Sequence, residues 1–149
     1  MKINFELYKS EDYSELKDMI LGLYSEDPPS VPMAEEKILK TVKELANHRD
    51  KGQIILFRVN NKTAGYGIII FFWSNEYGGN IIYIDELFVK EEWRSKKIGT
   101  SFFNYLLENF KDKAVALKLE VTPRNVRARK YYENMGFKET RNVHLLKTI

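Results

Sequence analysis

The chain has 149 residues, 44% of them hydrophobic and 13% aromatic, enough to fill the core of one domain. It contains no cysteine, which excludes disulfides, thiolate metal sites and a cysteine nucleophile, and no apolar run approaches the roughly 20 residues that span a bilayer. With 24 basic and 21 acidic residues, the net charge of +3 is too balanced to imply nucleic acid by itself.

The start, Met1-Lys2-Ile3-Asn4, lacks a signal-peptide layout, so a soluble cytoplasmic protein without a membrane partner is expected. Ile3, Phe5 and Leu7 alternate with Asn4 and Glu6 and predict an opening strand. Ser10 is placed to cap a helix in which Tyr13, Leu16, Ile20, Leu23 and Tyr24 share a face. Three prolines within residues 25–32 end it in a loop, where Glu26 and Asp27 are either solvated charges or an acidic lip for a cationic substrate. Ile38, Val42 and Leu45 predict a second helix from near Met33 to a turn at residues 47–52. Strands over residues 53–59 and 64–73 then flank Asn60-Asn61-Lys62, a tight-hairpin signal. Gly65 and Gly67 mark a close backbone approach or a bulge.

Residues 81–107 organise the rest. The apolar run I-I-Y-I-D-E-L-F-V holds two adjacent carboxylates, Asp85 and Glu86. A carboxylate stays out of a buried strand unless it is paired, so one of these two meets water, a cation or a substrate. Plain alternation puts Glu86 on the face of Ile82, Ile84 and Phe88 and makes it the preferred substrate-facing acid; a bulge would exchange the faces. A salt bridge to a helix Arg or Lys is the other reading for each carboxylate. A basic turn follows, and then Ile98, Phe102, Phe103, Leu106, Leu107 and Phe110 at helical spacing. A helix beginning at Gly99 and Thr100 beside Arg94, Lys96 and Lys97 suits an anion such as pyrophosphate, although a solvated loop would look the same.

Val115, Leu117, Leu119 and Val121 alternate with polar or small residues as another strand, and strand, helix, strand implies parallel pairing by a right-handed crossover. Thr122-Pro123 stops it, residues 125–135 read as a helix closed by Gly136, and residues 143–147 read as a last strand against residues 137–140. The expected architecture is one domain over residues 1–149, an α/β fold with a mixed sheet, antiparallel first and parallel after. Arg124, Arg127, Arg129 and Lys130 form a basic cluster that suits cofactor phosphates or plain solvation better than nucleic acid. His48 and His144 lack ligand-like neighbours, so no metal site is expected, and no Ser-His-Asp arrangement is evident.

Two segments carry a resemblance. Arg94-Ser95-Lys96-Lys97-Ile98-Gly99-Thr100 looks like an R-x-x-G-x-G/A signature. Asn125-Val126-Arg127-Ala128-Arg129-Lys130-Tyr131-Tyr132-Glu133-Asn134-Met135-Gly136-Phe137 is similar to a second motif, N-x-x-A followed by an aromatic, a Tyr, an acid and Gly-Phe. In this order and spacing they resemble the GNAT superfamily of acyl-CoA-dependent N-acyltransferases. The resemblance implies the GNAT fold with splayed central strands, acetyl-CoA as co-substrate, and direct transfer to a primary amine in a ternary complex. It implies cofactor contacts at Phe88, Val89, Arg94, Ser95, Lys96, Lys97, Ile98, Gly99, Thr100 and Asn125, with Tyr132 donating a hydrogen bond to the departing thiolate; Asn125 also reads as a cap of its helix, and Tyr131, pointing elsewhere on that helix, is expected in the core. Glu86 or Asp85 would take the proton of the amine, and Tyr24, Trp73 and Glu86 would line the acceptor side, for a polyamine, an aminoglycoside or a protein amine. A homodimer is expected by analogy alone. Lys97 departs from the pattern, standing where the first Gly belongs. If that position needs positive φ, Lys97 costs on the order of 1 kcal/mol, which motivates the alternative of a non-catalytic acyl-CoA-binding module.

Overall fold

Alternating apolar and polar residues make β1 (Ile3–Leu7) in a computed structural model that describes residues 1–149. Helices α1 (Tyr13–Glu26) and α2 (Glu35–Asn47) follow, each turning an apolar stripe inward. Ser10 is not the cap of α1: it opens a single 3₁₀ turn, and Asp12 stands at the helix start with its carboxylate accepting the Lys9 N–H at 3.0 Å. Arg58 fixes this end of the helix, its guanidinium 2.5 Å from Asp12.

Strands β2 (Gly52–Val59), β3 (Lys62–Ser74) and β4 (Gly79–Val89) form an antiparallel meander with β1. The β2–β3 turn uses Asn60 at φ 49° and Asn61 at φ 63°, the left-handed pair that the twist of a two-residue hairpin demands. Helix α3 (Ile98–Phe110) crosses back and β5 (Ala116–Lys118) joins β4 in parallel, giving the order β1-β2-β3-β4-β5.

One face of this sheet packs Ile54, Leu56, Tyr66 and Ile68 against Leu16, Met19 and Ile20 of α1 and Ile38 and Leu45 of α2. The other face packs Phe57 against Phe102 of α3 at 4.7 Å between ring centres, with Phe5 5.4 Å from Phe57. Gly67 is required here because a Cβ would lie 2.6 Å from the Phe102 ring. Gly65 is also held by close approach, a Cβ there falling 2.2 Å from the Phe88 carbonyl oxygen. The first of the two glycine readings, close approach, therefore applies at both positions, and Gly65 also borders a bulge, since the register shifts between Phe57 and Arg58.

The chain divides into two compact units, Met1–Leu119 and Glu120–Ile149. The second contains α4 (Val126–Asn134), capped by the Asn125 side chain, which accepts the Ala128 N–H at 3.1 Å, and closed by Gly136 at φ +93°. The strand expected at residues 143–147 does not form, and residues 137–149 hold no ladder. An isolated two-stranded ribbon is marginal without an apolar face to bury, and Val143, Leu145 and Leu146 remain exposed. No helix is long and apolar enough to cross a membrane.

Candidate active site

The site begins with an irregularity in β4. Ile68 pairs with Glu86, but Ile69 pairs with Ile84, so Asp85 is an extra residue. Before the bulge, Ile82 pairs with Phe71, whose ring meets Phe110 of α3 at 5.6 Å. After it, Glu86 and Phe88 pair with Ile68 and Tyr66, which belong to the core beneath α1 and α2. The strand has changed faces. Of the three neighbours that plain alternation gave Glu86, only Phe88 shares its face; Ile82 and Ile84 lie on the other. Nor does Asp85 turn to the far side, because it lines a groove together with Ile68 and Ile70.

Glu86 is 8% exposed and is held by two phenols. Tyr24 donates to Oε1 at 2.6 Å and Tyr66 to Oε2 at 2.7 Å. These lengths suit hydrogen bonds to an ionised carboxylate, and no salt bridge to Glu86 is needed to satisfy it. Burial raises the Glu86 pKa above the ordinary carboxylate value and the charge of Asp85 adds to this, while the two phenol hydrogen bonds pull it down without cancelling the rise. The phenols respond in turn: burial, then Glu86, raises the pKa of both Tyr24 and Tyr66, so both remain donors at neutral pH.

Tyr66 is the residue that sequence reading missed. Its signal was a phenol inside the Gly- and Ile-rich run of residues 65–70, where a buried hydroxyl must find an acceptor. Trp73, expected on the acceptor side, is not brought to Tyr24 and Glu86. It pairs with Asn80 toward the far end of the β3–β4 hairpin and is 67% exposed.

Beside Glu86 the surface opens into a groove of about 710 Å³ between α2 and the β3–β4 pair. Ile68, Ile70 and Leu45 supply apolar surface, Asp85 stands on the strand side, and Lys40, Lys43 and His48 on the helix side.

At the other end of β4 the sheet splays. β5 pairs with β4 only at Ile81, Ile82 and Tyr83, whereas β4 runs on to Val89, leaving residues 84–89 with a ladder on the β3 edge alone. A short 3₁₀ turn (Glu91–Trp93) leads into residues 94–97, where Ser95 has φ 61° and Lys97 has φ 60°. Lys97 is the residue before α3 and offers no side-chain acceptor to its amides. The first helical bond runs from the Ser101 N–H to the Lys97 carbonyl at 3.0 Å, so the amides ahead of it are those an α-helix leaves without intrahelical partners. A lysine at the positive end of a helix dipole is unfavourable alone and becomes favourable when an anion sits between them.

Arg94 is fixed in this turn. Its Nε donates to the Val89 carbonyl at 2.9 Å, its Nη2 donates to both Glu26 oxygens at 2.7 and 2.9 Å, and the guanidinium lies 5.7 Å from the Phe88 ring centre. Glu26 is therefore not a free acidic lip; still half exposed to solvent, it joins the last turn of α1 to the basic turn. Lys96 donates to the Glu92 carbonyl at 2.8 Å over the Trp93 ring. The donor set, backbone amides with Arg94, Lys96 and Lys97, suits a pyrophosphate.

In the second unit, Tyr132 on α4 is half-buried, with ring centres 5.3 Å from Tyr131 and 5.9 Å from Phe137. Burial, then Tyr131, raises its pKa, so it is a protonated donor at neutral pH. Tyr131, expected in the core, is 37% exposed. Arg129 of the basic cluster is engaged by Glu133 at 3.0 Å and Glu139 at 2.5 Å.

A mixed five-stranded sheet, antiparallel until its last parallel pair and splayed beside a cationic helix start, defines the GNAT acetyltransferase fold. Residues 16–137 match the family described as "Acetyltransferase (GNAT) family", and the chain belongs to it. The chain is 35% identical over 74 residues to the thialysine N-epsilon-acetyltransferase of Bos taurus; this covers 49% of the chain and 43% of that relative, under half its length. A possible acetyltransferase from Clostridium difficile 630 is 25% identical, with a TM-score of 0.84 and coverage of 100% of this chain and 99% of that one. The structure of AAC(6')-Iy, in complex with the bisubstrate analog CoA-S-monomethyl-acetylneamine, has a TM-score of 0.80 over 100% of this chain and 99% of that one. At 12% identity it shares the fold.

Proposed function

We propose that the chain is an acetyl-CoA-dependent N-acetyltransferase that moves the acetyl group to a primary amine by direct attack in a ternary complex. One observation carries this reading: a bulge in β4 turns Glu86, buried and held by Tyr24 and Tyr66, and Asp85, exposed in the adjoining groove, to the same side.

The two carboxylates take different roles. Asp85, in the open groove, attracts the ammonium form of the acceptor. An alkylamine with a pKa near 10 must lose a proton before it attacks, and Glu86 accepts that proton directly or through water. Its raised pKa makes it a stronger base than an ordinary carboxylate, and the two phenols hold its orientation. Backbone N–H groups near Phe88 and Val89 stabilise the oxyanion that develops as the thioester carbonyl is attacked. Residues 94–100 hold the pyrophosphate, Asn125 serves the amide chain or the helix cap, and Tyr132 donates a hydrogen bond to the leaving sulfur.

The test is release of free coenzyme A thiol from acetyl-CoA across a panel of amines, with Glu86→Gln and Tyr132→Phe beside the wild type. Acceptor-dependent release that falls in both variants is expected. An unchanged rate in Tyr132→Phe would remove its role. A second reading, a non-catalytic acyl-CoA-binding module, is favoured by Lys97 in its left-handed conformation; acetyl-CoA raising the melting temperature while no amine is acetylated would select it.

A further inference from the structure

The groove beside Asp85 has two walls of different charge. On the strand side stands Asp85, exposed and next in sequence to the proposed base Glu86. On the helix side stand Lys40 and Lys43, one turn apart on α2. The acid on that helix wall, Glu44, is already engaged by Lys51 at 2.5 Å. Lys40 pairs with Glu36 at 2.7 Å, but both side chains are about three-quarters exposed, and a pair of this kind is weak enough for a ligand to displace. Lys43 makes no ion pair. Between the walls, Ile68, Ile70 and Leu45 offer apolar surface without a hydrogen-bond donor. A volume of about 710 Å³ suits a small molecule.

From this we infer that the acceptor is an aliphatic amine whose far end carries a carboxylate, as in an ω-amino acid or a basic amino acid acetylated on its side chain. The inference rests on the acetyltransferase reading and deepens it. The ammonium lies toward Asp85 and Glu86, the methylene chain crosses Ile68 and Ile70, and the carboxylate reaches Lys43 and Lys40. A polyamine or an aminoglycoside would present further cations to those lysines, a like-charge contact in which the acid on that wall, Glu44, is already shared with Lys51. Transfer balances as ordinary acylation: the ammonium gives one proton to Glu86, the freed amine nitrogen forms the C–N bond as the thioester C–S bond breaks, and the second proton lost from nitrogen goes to the thiolate, which leaves as the thiol.

Thiol release from acetyl-CoA is compared for lysine, aminocaproate, cadaverine and an aminoglycoside, which separate the carboxylate from chain length and from total charge. Lysine and aminocaproate are expected to exceed cadaverine in kcat/KM by about tenfold or more, the scale of one charge-assisted contact. In Lys43→Glu, on the exposed side of α2, KM for lysine and aminocaproate should rise about tenfold while KM for cadaverine falls. A preference for cadaverine or the aminoglycoside overturns the inference and leaves the acetyltransferase reading standing, as does an unaltered lysine-to-cadaverine ratio in both Lys43→Glu and Lys40→Glu. No release with any amine overturns both.

Discussion

The Glu86 centre and the turn at residues 94–100 handle charge in opposite ways. Glu86 is buried, and the fold meets its needs from within, through Tyr24 and Tyr66. The turn is exposed, and Lys97, left-handed at the head of α3, offers the helix start no side-chain cap. A second turn sharpens the contrast. Asn60 and Asn61 have the same left-handed backbone as Ser95 and Lys97, but asparagine adopts it readily, so the hairpin is a local solution to sheet twist. A lysine held there without such a fit stores strain of about 1 kcal/mol, which the proposed cofactor contact would offset. Substitutions at the first centre should therefore appear in stability and pH dependence, and those at the second in cofactor affinity.

The largest expected effect is on turnover. Replacing Glu86 by Gln should lower kcat about a hundredfold or more in the thiol-release assay, the scale of a lost general base. The same variant tests the burial cost. A carboxylate whose folded pKa is raised contributes stability that is fully present below its unfolded pKa and lost as pH rises through the folded one. The melting temperature of the wild type relative to Glu86→Gln should accordingly decline across that window; a constant difference would show that burial does not perturb Glu86.

Next in size is Tyr66→Phe, which removes one of the two donors to a buried acid. It should cost about 1–3 kcal/mol in urea unfolding and move the acidic limb of the pH–rate profile upward, because the hydrogen bond that lowers the Glu86 pKa is gone. Arg94→Ala should weaken acetyl-CoA binding about tenfold by calorimetry with little change in melting temperature, since its pair with Glu26 is exposed. Smaller still, Lys97→Gly should relieve about 1 kcal/mol of strain and raise the melting temperature by about 3 °C while weakening acetyl-CoA binding. Asn61→Gly should change stability by no more than a few tenths of a kcal/mol. If Lys97→Gly behaved like Asn61→Gly, the contrast between the turns would disappear.

The elements visible in the sequence were those whose signals are local. The 3.6-residue stripes of α1, α2 and α3, the Asn-Asn hairpin and the Asn125 cap all depend on residues a few positions apart. The Asp85 bulge depends on the register of β3 against β4, which no pattern within β4 alone encodes; plain alternation therefore gave Glu86 the wrong neighbours. The pairing of Glu26 with Arg94 spans 68 positions and lies beyond any local signal. The strand expected at residues 143–147 failed for the converse reason: a local apolar run is insufficient without a surface to bury it. The stripe of α1 put Tyr24 on that helix's inward face, but its partner Glu86 could not be read from it, because that contact also waits on the bulge.

The extra residue at Asp85 makes β4 a phase shifter. Upstream of it, even-numbered positions such as Ile82 and Ile84 answer to α3; downstream, even-numbered Glu86 and Phe88 answer to α1 and α2. One strand thus runs two opposite parities, and the chemistry occupies the second. Deleting Asp85 would restore a single parity and oblige the strand either to carry Glu86 into the aromatic layer beneath α3 or to drive Ile82 and Ile84 out of it. Neither half could keep its packing. A length change of one residue in β4 is therefore more disruptive than most substitutions in it, and homologous strands should conserve their length here more tightly than their composition.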